Sequence, residues 1–231
     1  MTVVLALRCA DGIVLGADTQ ITESDRGMSY PARKLHLLGD HAAWGGSGAR
    51  AVLTDAKAAF DESAASILEA TDVGRALQDQ LRPILQHHYD TYIEDVPGEE
   101  KGGTPATYLL AAGYADDEPW IVEINPHAMV GRYEDIGFHA VGSGAAMAQQ
   151  AGALLAHFRM VERPVRYGVA GVLRVLEALD YTSPSVGAPF DIVRVTPAGV
   201  DRLDDDEIEQ TRADVKRWTE MEQAVLDQLY D

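Results

Sequence analysis

Three residues near the start of the chain, Thr2, Asp18 and Lys34, follow one another at intervals of sixteen positions. A threonine hydroxyl is a nucleophile, and removal of Met1 would give Thr2 a free α-amine that can serve as its base. An ammonium group beside Thr2 would lower the pKa of that hydroxyl, and a carboxylate would hold the ammonium in place. Taken singly, each residue also has an ordinary structural explanation. Together they predict N-terminal threonine chemistry, provided that the fold brings them to one place.

Short apolar runs bounded by turn residues predict antiparallel strands, and apolar residues at three- and four-residue spacing predict the helices between them. The predicted strands occupy residues 2–8, 13–18, 34–47 as two strands, 107–114, 119–125, 129–135, 137–143 and 190–203 as a hairpin. The predicted helices occupy residues 49–68, 73–93, 145–160 and 164–179, with a polar, glycine-rich loop at 96–103. Paired helices between blocks of antiparallel strands favour an α+β fold of two stacked sheets with a helical layer on each outer face.

The composition limits the possible functions. The 231 residues are 46% hydrophobic and show no break in composition, which predicts one main domain. A formal net charge of −18 argues against nucleic acid and against an anionic membrane surface as partners. Cys9 is the only cysteine, so neither a disulfide framework nor a CxxC metal motif exists, and we expect no metal or cofactor. The chain carries no basic leader and no membrane-length apolar run, which predicts a cytoplasmic location.

The C-terminal segment differs from the rest of the chain. From Asp204 onward it contains ten acidic residues against three basic ones, and its apolar residues have helical spacing. We therefore expect a domain over residues 1–203 and an acidic amphipathic helix over 204–231. The helix either packs on its own domain or forms a subunit contact. The apolar stripe consists of Ile208, Val215, Trp218, Met221, Val225 and Leu229.

Several segments resemble a known family. MTVVLALRCADGIVLGADTQIT and ARKLHLLGDHAAWGGSGARA are similar to the proteasome β-subunit family and to its bacterial relatives of the HslV and Anbu types. The similarity continues through TPATYLLAAGY, HAVGSG and LDYTS, so it covers nearly the whole chain apart from the acidic tail. Members of that family are N-terminal-nucleophile hydrolases. The resemblance implies their four-layer αββα fold for this chain.

The resemblance also implies catalytic roles for matching positions. Thr2 matches the catalytic N-terminal threonine, and Asp18 and Lys34 match the paired carboxylate and lysine. Gly48 matches the position whose backbone N–H stabilises an oxyanion, and a glycine there lets backbone donors approach a substrate carbonyl.

Further supporting residues follow from the same resemblance. Ser143 matches a serine that hydrogen-bonds the terminal amine, although a serine in this position is also a good helix N-cap. Asp180 and Ser183 match a second supporting pair. This chain departs from the family pattern directly afterwards, because Pro184 and Ser185 stand where the family usually has two glycines.

A side-chain pocket beside Thr2 is implied as well. Gly46 would leave this pocket deep. Arg50 would favour an acidic substrate residue, unless it is an exposed helix arginine paired with Asp55 or Asp61. The implied lining consists of Ile21, Ala32, His36, Gly46, Arg50 and Thr54.

The implied function is that of a threonine-type peptidase that cleaves peptide bonds with Thr2 after removal of Met1. The implied partners are a peptide or unfolded-protein substrate, further copies of the chain in a ring or open spiral, and an ATP-dependent unfoldase. Two alternatives remain open, a noncatalytic ring scaffold and an amidase for small molecules. The joint presence of Thr2, Asp18 and Lys34 favours catalysis, because a scaffold has no need for them.

Overall fold

The structure is a computed structural model that describes residues 2–23, 28–91, 106–183 and 186–230; the predicted loop at 96–103 lies outside these ranges. The strands within them are β1 (Val4–Arg8), β2 (Ile13–Asp18), β3 (Gln20–Glu23), β4 (Met28–Pro31), β5 (Leu35–Leu38), β6 (Ala42–Ser47), β7 (Tyr108–Ala115), β8 (Glu118–Ile124), β9 (Val130–Arg132), β10 (Phe138–Val141), β11 (Phe190–Thr196) and β12 (Gly199–Arg202). The helices are α1 (Arg50–Leu68), α2 (Val73–Thr91), α3 (Ala145–Leu155), α4 (Val165–Thr182) and α5 (Asp205–Tyr230).

Two five-stranded antiparallel sheets are stacked between helical layers. Their strand orders are β10-β1-β2-β11-β12 and β5-β6-β7-β8-β9. The position of strand β1 explains why the start of the sequence is a continuous apolar run. Val4 and Ala6 belong to the core between the sheets, whereas Leu5 and Leu7 belong to the core beneath α3 and α4. Both faces of the strand are therefore covered, and the predicted four-layer α+β fold is confirmed.

The element boundaries differ from the prediction in two places. The helix predicted over 145–160 is wrong beyond Leu155, because two single turns of 3₁₀ helix follow and Arg159 between them has a left-handed φ of +52°. The hairpin of β3 and β4 was not predicted. Its strands have only four residues each, QITE contains a single apolar residue and MSYP ends in proline, so neither carries a sustained strand pattern.

Helix α5 packs on its own domain along its first half. Val215 is buried, and the Trp218 ring lies 4.1 Å below the Arg174 guanidinium of α4. Beyond these contacts the described residues leave the apolar stripe uncovered, since Val225 and Leu229 are 57% and 68% exposed. A subunit contact through this second half of α5 stays a prediction. No helix in the described part of the chain is long and apolar enough to cross a bilayer.

Candidate active site

The sheets bring the three predicted catalytic residues to one end of the sandwich. The antiparallel register of β1 and β2 pairs Val4 with Ala17, and the Val3 N–H donates to Asp18 at the end of β2, so Thr2 is one residue away from that contact. Lys34 immediately precedes β5 in the opposite sheet. Thr2 and Lys34 line the same cavity, whose volume is about 420 Å³.

Asp18 and Lys34 form a buried, fully hydrogen-bonded ion pair. Lys34 Nζ donates to Asp18 Oδ1 at 2.8 Å, to Asp18 Oδ2 at 2.7 Å and to the Gln20 carbonyl oxygen at 2.7 Å. The carboxylate also accepts the backbone N–H groups of Val3 at 2.9 Å and Gln20 at 3.2 Å. Asp18 is 0% exposed and Lys34 is 7% exposed. Because three donor groups make four hydrogen bonds to its carboxylate, Asp18 is built to hold Lys34 in one orientation.

Burial shifts the titration of both partners. Loss of water lowers the pKa of the Lys34 ammonium and raises the pKa of the Asp18 carboxyl. The charge of each partner works in the opposite direction on the other. Lys34 therefore gives up its proton more readily than an exposed lysine, and shifted pKa values of this kind are frequent in active sites.

A glycine-serine-glycine turn between β10 and α3 holds the backbone of Thr2. The Thr2 nitrogen lies 3.0 Å from Ser143 Oγ, and the Gly144 N–H donates to the Thr2 carbonyl oxygen at 3.2 Å. Gly142 has a φ of +98°, and a Cβ there would lie 2.3 Å from the Thr2 carbonyl oxygen. Gly144, and not Ser143, stands at the N-cap of α3, and the cap has no side-chain hydrogen bond. This geometry leaves Ser143 facing the nitrogen that removal of Met1 would free.

The turn at Gly48 requires glycine. Its φ is +133°, and a Cβ would lie 2.5 Å from Thr107 Oγ1 and 2.7 Å from the Ala106 carbonyl oxygen. Sequence reasoning missed Thr107, a fully buried residue whose Oγ1 accepts the Ala49 N–H at 3.2 Å and lies 2.8 Å from Tyr89 Oη. A polar residue at the entrance to the apolar strand β7 was the available signal. Thr107 shapes this turn, and the oxyanion role of Gly48 stays a prediction.

The cavity beside Thr2 contains all six positions of the implied pocket. One expectation about its shape is wrong: Leu53 occupies the space that Gly46 leaves, because a Cβ on Gly46 would lie 2.4 Å from Leu53 Cδ2. The pocket therefore gains no depth there. Sequence reasoning did not identify five further lining residues, Tyr30, Arg33, Trp44, Leu53 and Lys57.

Among the described residues, no hydrogen bond joins Asp180 or Ser183 to this site. Asp180 is exposed in the last turn of α4, and Ser183 is buried just after it with its N–H bonded to the Leu179 carbonyl oxygen at 2.8 Å. Within the described part of the chain, neither side chain bonds to Thr2 or to Ser143. Their supporting role remains a prediction that this geometry does not strengthen, and residues 184–185 lie outside the described ranges.

Two stacked antiparallel sheets between helical layers, with a threonine at the start of a central strand, form the fold of the N-terminal-nucleophile hydrolases. The family model described as "Proteasome subunit" matches residues 2–160, and the chain belongs to the proteasome subunit family. The predicted resemblance is thereby confirmed.

Two solved structures that share the fold are both Anbu proteins. Anbu from Yersinia bercovieri, described as an ancestral beta-subunit, has a TM-score of 0.75 at 14% identity and covers 100% of this chain and 98% of its own. A mutant of Anbu from Hyphomicrobium sp. strain MC1 has a TM-score of 0.72 at 17% identity and covers 100% of both chains. At these identities the likeness establishes the fold alone. No curated protein matches the sequence.

Proposed function

We propose that this protein is a threonine peptidase whose nucleophile is Thr2 Oγ once Met1 has been removed. The buried ion pair of Lys34 and Asp18 carries this proposal, because its lysine lines the same cavity as Thr2. Removing two charges from water costs several kcal/mol per ion, and apolar residues would fill the same position in a purely structural subunit. The pair is explained if its charge acts on a reacting group beside it.

In the proposed reaction, each group of the site has a defined chemical role. Thr2 Oγ attacks the scissile carbonyl carbon while its proton passes to the free α-amine of the same residue. The Lys34 ammonium favours the ionised oxygen, and the Gly48 N–H donates to the developing oxyanion. The protonated amine then gives its proton to the leaving nitrogen, which breaks the peptide bond. Water, activated by the amine, hydrolyses the remaining ester, and Ser143 orients the amine throughout.

The test is covalent labelling of protein whose N-terminal state is known. Intact mass spectrometry separates chains that retain Met1 from chains that begin at Thr2. A peptide epoxyketone bonds to both a hydroxyl and an amine, so it is expected to add once to each processed chain and never to the form with Met1. Peptide hydrolysis is expected to rise in proportion to the processed fraction.

Three outcomes would redirect the proposal. Processed protein that neither takes up the epoxyketone nor cleaves a broad peptide library would favour the ring scaffold. Hydrolysis of small amides without hydrolysis of peptides would favour the amidase. Labelling of the chains that retain Met1 would show that the reagent reacts elsewhere.

We further propose that the chain acts as a homo-oligomer, in a ring or an open spiral. Proteasome-like proteins typically form oligomers, and enclosure keeps a free N-terminal nucleophile away from folded cellular proteins. The uncovered apolar face of α5, which includes Val225 and Leu229, offers area for such contacts. Light scattering is expected to give a mass several times the 25.0 kDa of one chain. A monomer at every micromolar concentration would contradict the assembly. An ATP-dependent unfoldase partner and the cytoplasmic location stay predictions.

A further inference from the structure

The cavity beside Thr2 is cationic although the chain as a whole is strongly acidic. Its lining includes Arg33, Lys34, Arg50 and Lys57, and no Asp or Glu is among the described residues that form it. Lys34 is neutralised by its buried partner. The three other cations are exposed around the cavity, in a protein with a formal net charge of −18. Positive charge concentrated at one cavity of a negatively charged protein favours the binding of a negatively charged ligand there.

Arg50 is the cation best placed to meet such a ligand. It is the first residue of α1, and its Nη1 donates to the Tyr30 hydroxyl at 3.0 Å, which is a neutral partner. The pairing of Arg50 with Asp55 or Asp61 that the sequence left open does not occur in the structure. Asp55 is bonded to His88 Nε2 at 2.7 Å instead. The Arg50 guanidinium is therefore oriented by Tyr30 without losing its charge to a carboxylate.

The other two cations contribute less. Lys57 is paired with Asp61 one helical turn further along α1, so its charge is largely balanced. Arg33 is an exposed residue of the lining, and no hydrogen bond to a described residue orients it as Tyr30 orients Arg50. A guanidinium also differs from an ammonium in geometry, because its planar fork binds both oxygens of a carboxylate at once. These differences single out Arg50.

Neutral polar and aromatic side chains complete the lining. Trp44 lies fully buried in the wall, and its indole N–H has no hydrogen-bond acceptor in the described part of the chain. The His36 ring packs on Trp44 with a centroid separation of 4.7 Å. The Tyr30 and Thr54 hydroxyls also border the cavity. Exposed cations and polar side chains thus form the lining without a described carboxylate among them, which suits a negatively charged ligand.

We propose that this cavity selects substrates with an acidic side chain, glutamate or aspartate, on the residue that supplies the attacked carbonyl, with Arg50 as the specificity-determining residue. This inference rests on the proposed peptidase function. The acyl residue is the relevant one because Thr2, which attacks its carbonyl, lines the same cavity. The carboxylate of a glutamate side chain would form an ion pair with the Arg50 guanidinium. The amide of glutamine has the same shape but no charge, so it would not form that ion pair.

The test uses fluorogenic peptides that differ only in the last residue before the reporter, which is Glu, Gln, Leu or Lys. For the processed enzyme, kcat/KM is expected to be roughly tenfold or more higher for Glu than for Gln, as for one charge-assisted hydrogen bond. Arg50→Gln is expected to remove this ratio, and Arg50→Glu to reverse the order of the Glu and Lys peptides. Arg75→Gln is the matched control, because Arg75 is an exposed arginine of α2 paired with Asp79 and lies outside the cavity.

Two readouts separate this inference from the peptidase proposal. An active enzyme that cleaves Glu and Gln peptides equally, or an Arg50→Gln variant that keeps the preference, overturns the inference and leaves the peptidase intact. Fluorescence anisotropy of the same peptides on a Thr2→Ala variant measures binding without turnover. Tighter binding of the Glu peptide to that variant, together with processed protein that cleaves nothing, supports the pocket and overturns the peptidase. Equal binding of all four peptides there overturns the inference.

Discussion

Replacement of Thr2 by alanine is expected to lower kcat/KM for every peptide substrate by roughly 10⁴-fold or more, the scale seen when a nucleophile is removed. The substitution deletes only the hydroxyl and one methyl group of a half-buried residue at a strand entrance. We therefore expect the free energy of unfolding to change by about 1 kcal/mol or less, and the assembly to persist. Steady-state kinetics and thermal unfolding measure the two effects separately.

The conservative variant is the control for this experiment. Thr2→Ser keeps both the hydroxyl and, after removal of Met1, the α-amine, so it is expected to retain measurable hydrolysis and epoxyketone labelling. Activity of the alanine variant close to that of the parent would show that another residue is the nucleophile. Loss of activity in both variants together with loss of folding would show that Thr2 acts in packing.

The main layers of the fold follow from patterns that are local in the sequence. An apolar run as short as β1 can be covered on both faces only between two layers, and Leu5 and Val4 indeed lie in different cores. The β3–β4 hairpin had no such signal, because its segments pair with each other and not with either main sheet. The helical spacing of apolar residues in the C-terminal segment predicted the apolar stripe of α5. It did not predict that the stripe becomes exposed beyond Trp218, since that depends on contacts between α5 and distant segments.

The parts of the site that lie at the ends of single strands could be predicted from the sequence. Thr2, Asp18 and Lys34 each stand at a strand boundary, so strand assignment alone brings them to the sheet ends. Contacts between distant segments were not predictable in the same way. The bond between Arg50 and Tyr30 joins α1 to β4, and the apolar contact of Leu53 with Gly46 depends on how α1 lies on β6. Such pairings are set by packing and leave no local pattern.

Replacement of Lys34 by alanine is expected to damage both activity and stability. It removes the cation beside the nucleophile, which we expect to lower kcat/KM by roughly 10²- to 10³-fold. It also leaves the Asp18 carboxylate buried without its partner, which is expected to cost about 3–5 kcal/mol of unfolding free energy. The single variant therefore does not separate the two effects.

The double variant Lys34→Met with Asp18→Asn separates them. It removes both charges and nearly preserves the side-chain volumes, so we expect most of the lost stability to return while hydrolysis stays low. Recovery of activity together with stability would show that the pair only supports the fold. Chemical denaturation and kinetics on Lys34→Met, on Asp18→Asn and on the double variant complete the thermodynamic cycle.

The pH dependence of the parent enzyme tests the same role without a substitution. Burial lowers the pKa of Lys34, so its charge is lost at a pH below 10.5, the ordinary lysine value. As the pH rises through that lowered pKa, the ammonium becomes a neutral amine, the Thr2 hydroxyl loses its cation, and kcat/KM is expected to fall. The α-amine of Thr2 acts in the opposite sense, because it must be deprotonated to serve as the base and so limits activity on the acidic side. A bell-shaped profile of kcat/KM is therefore expected, and activity that keeps rising past pH 10.5, with the protein still folded, would exclude the Lys34 ammonium from the reaction.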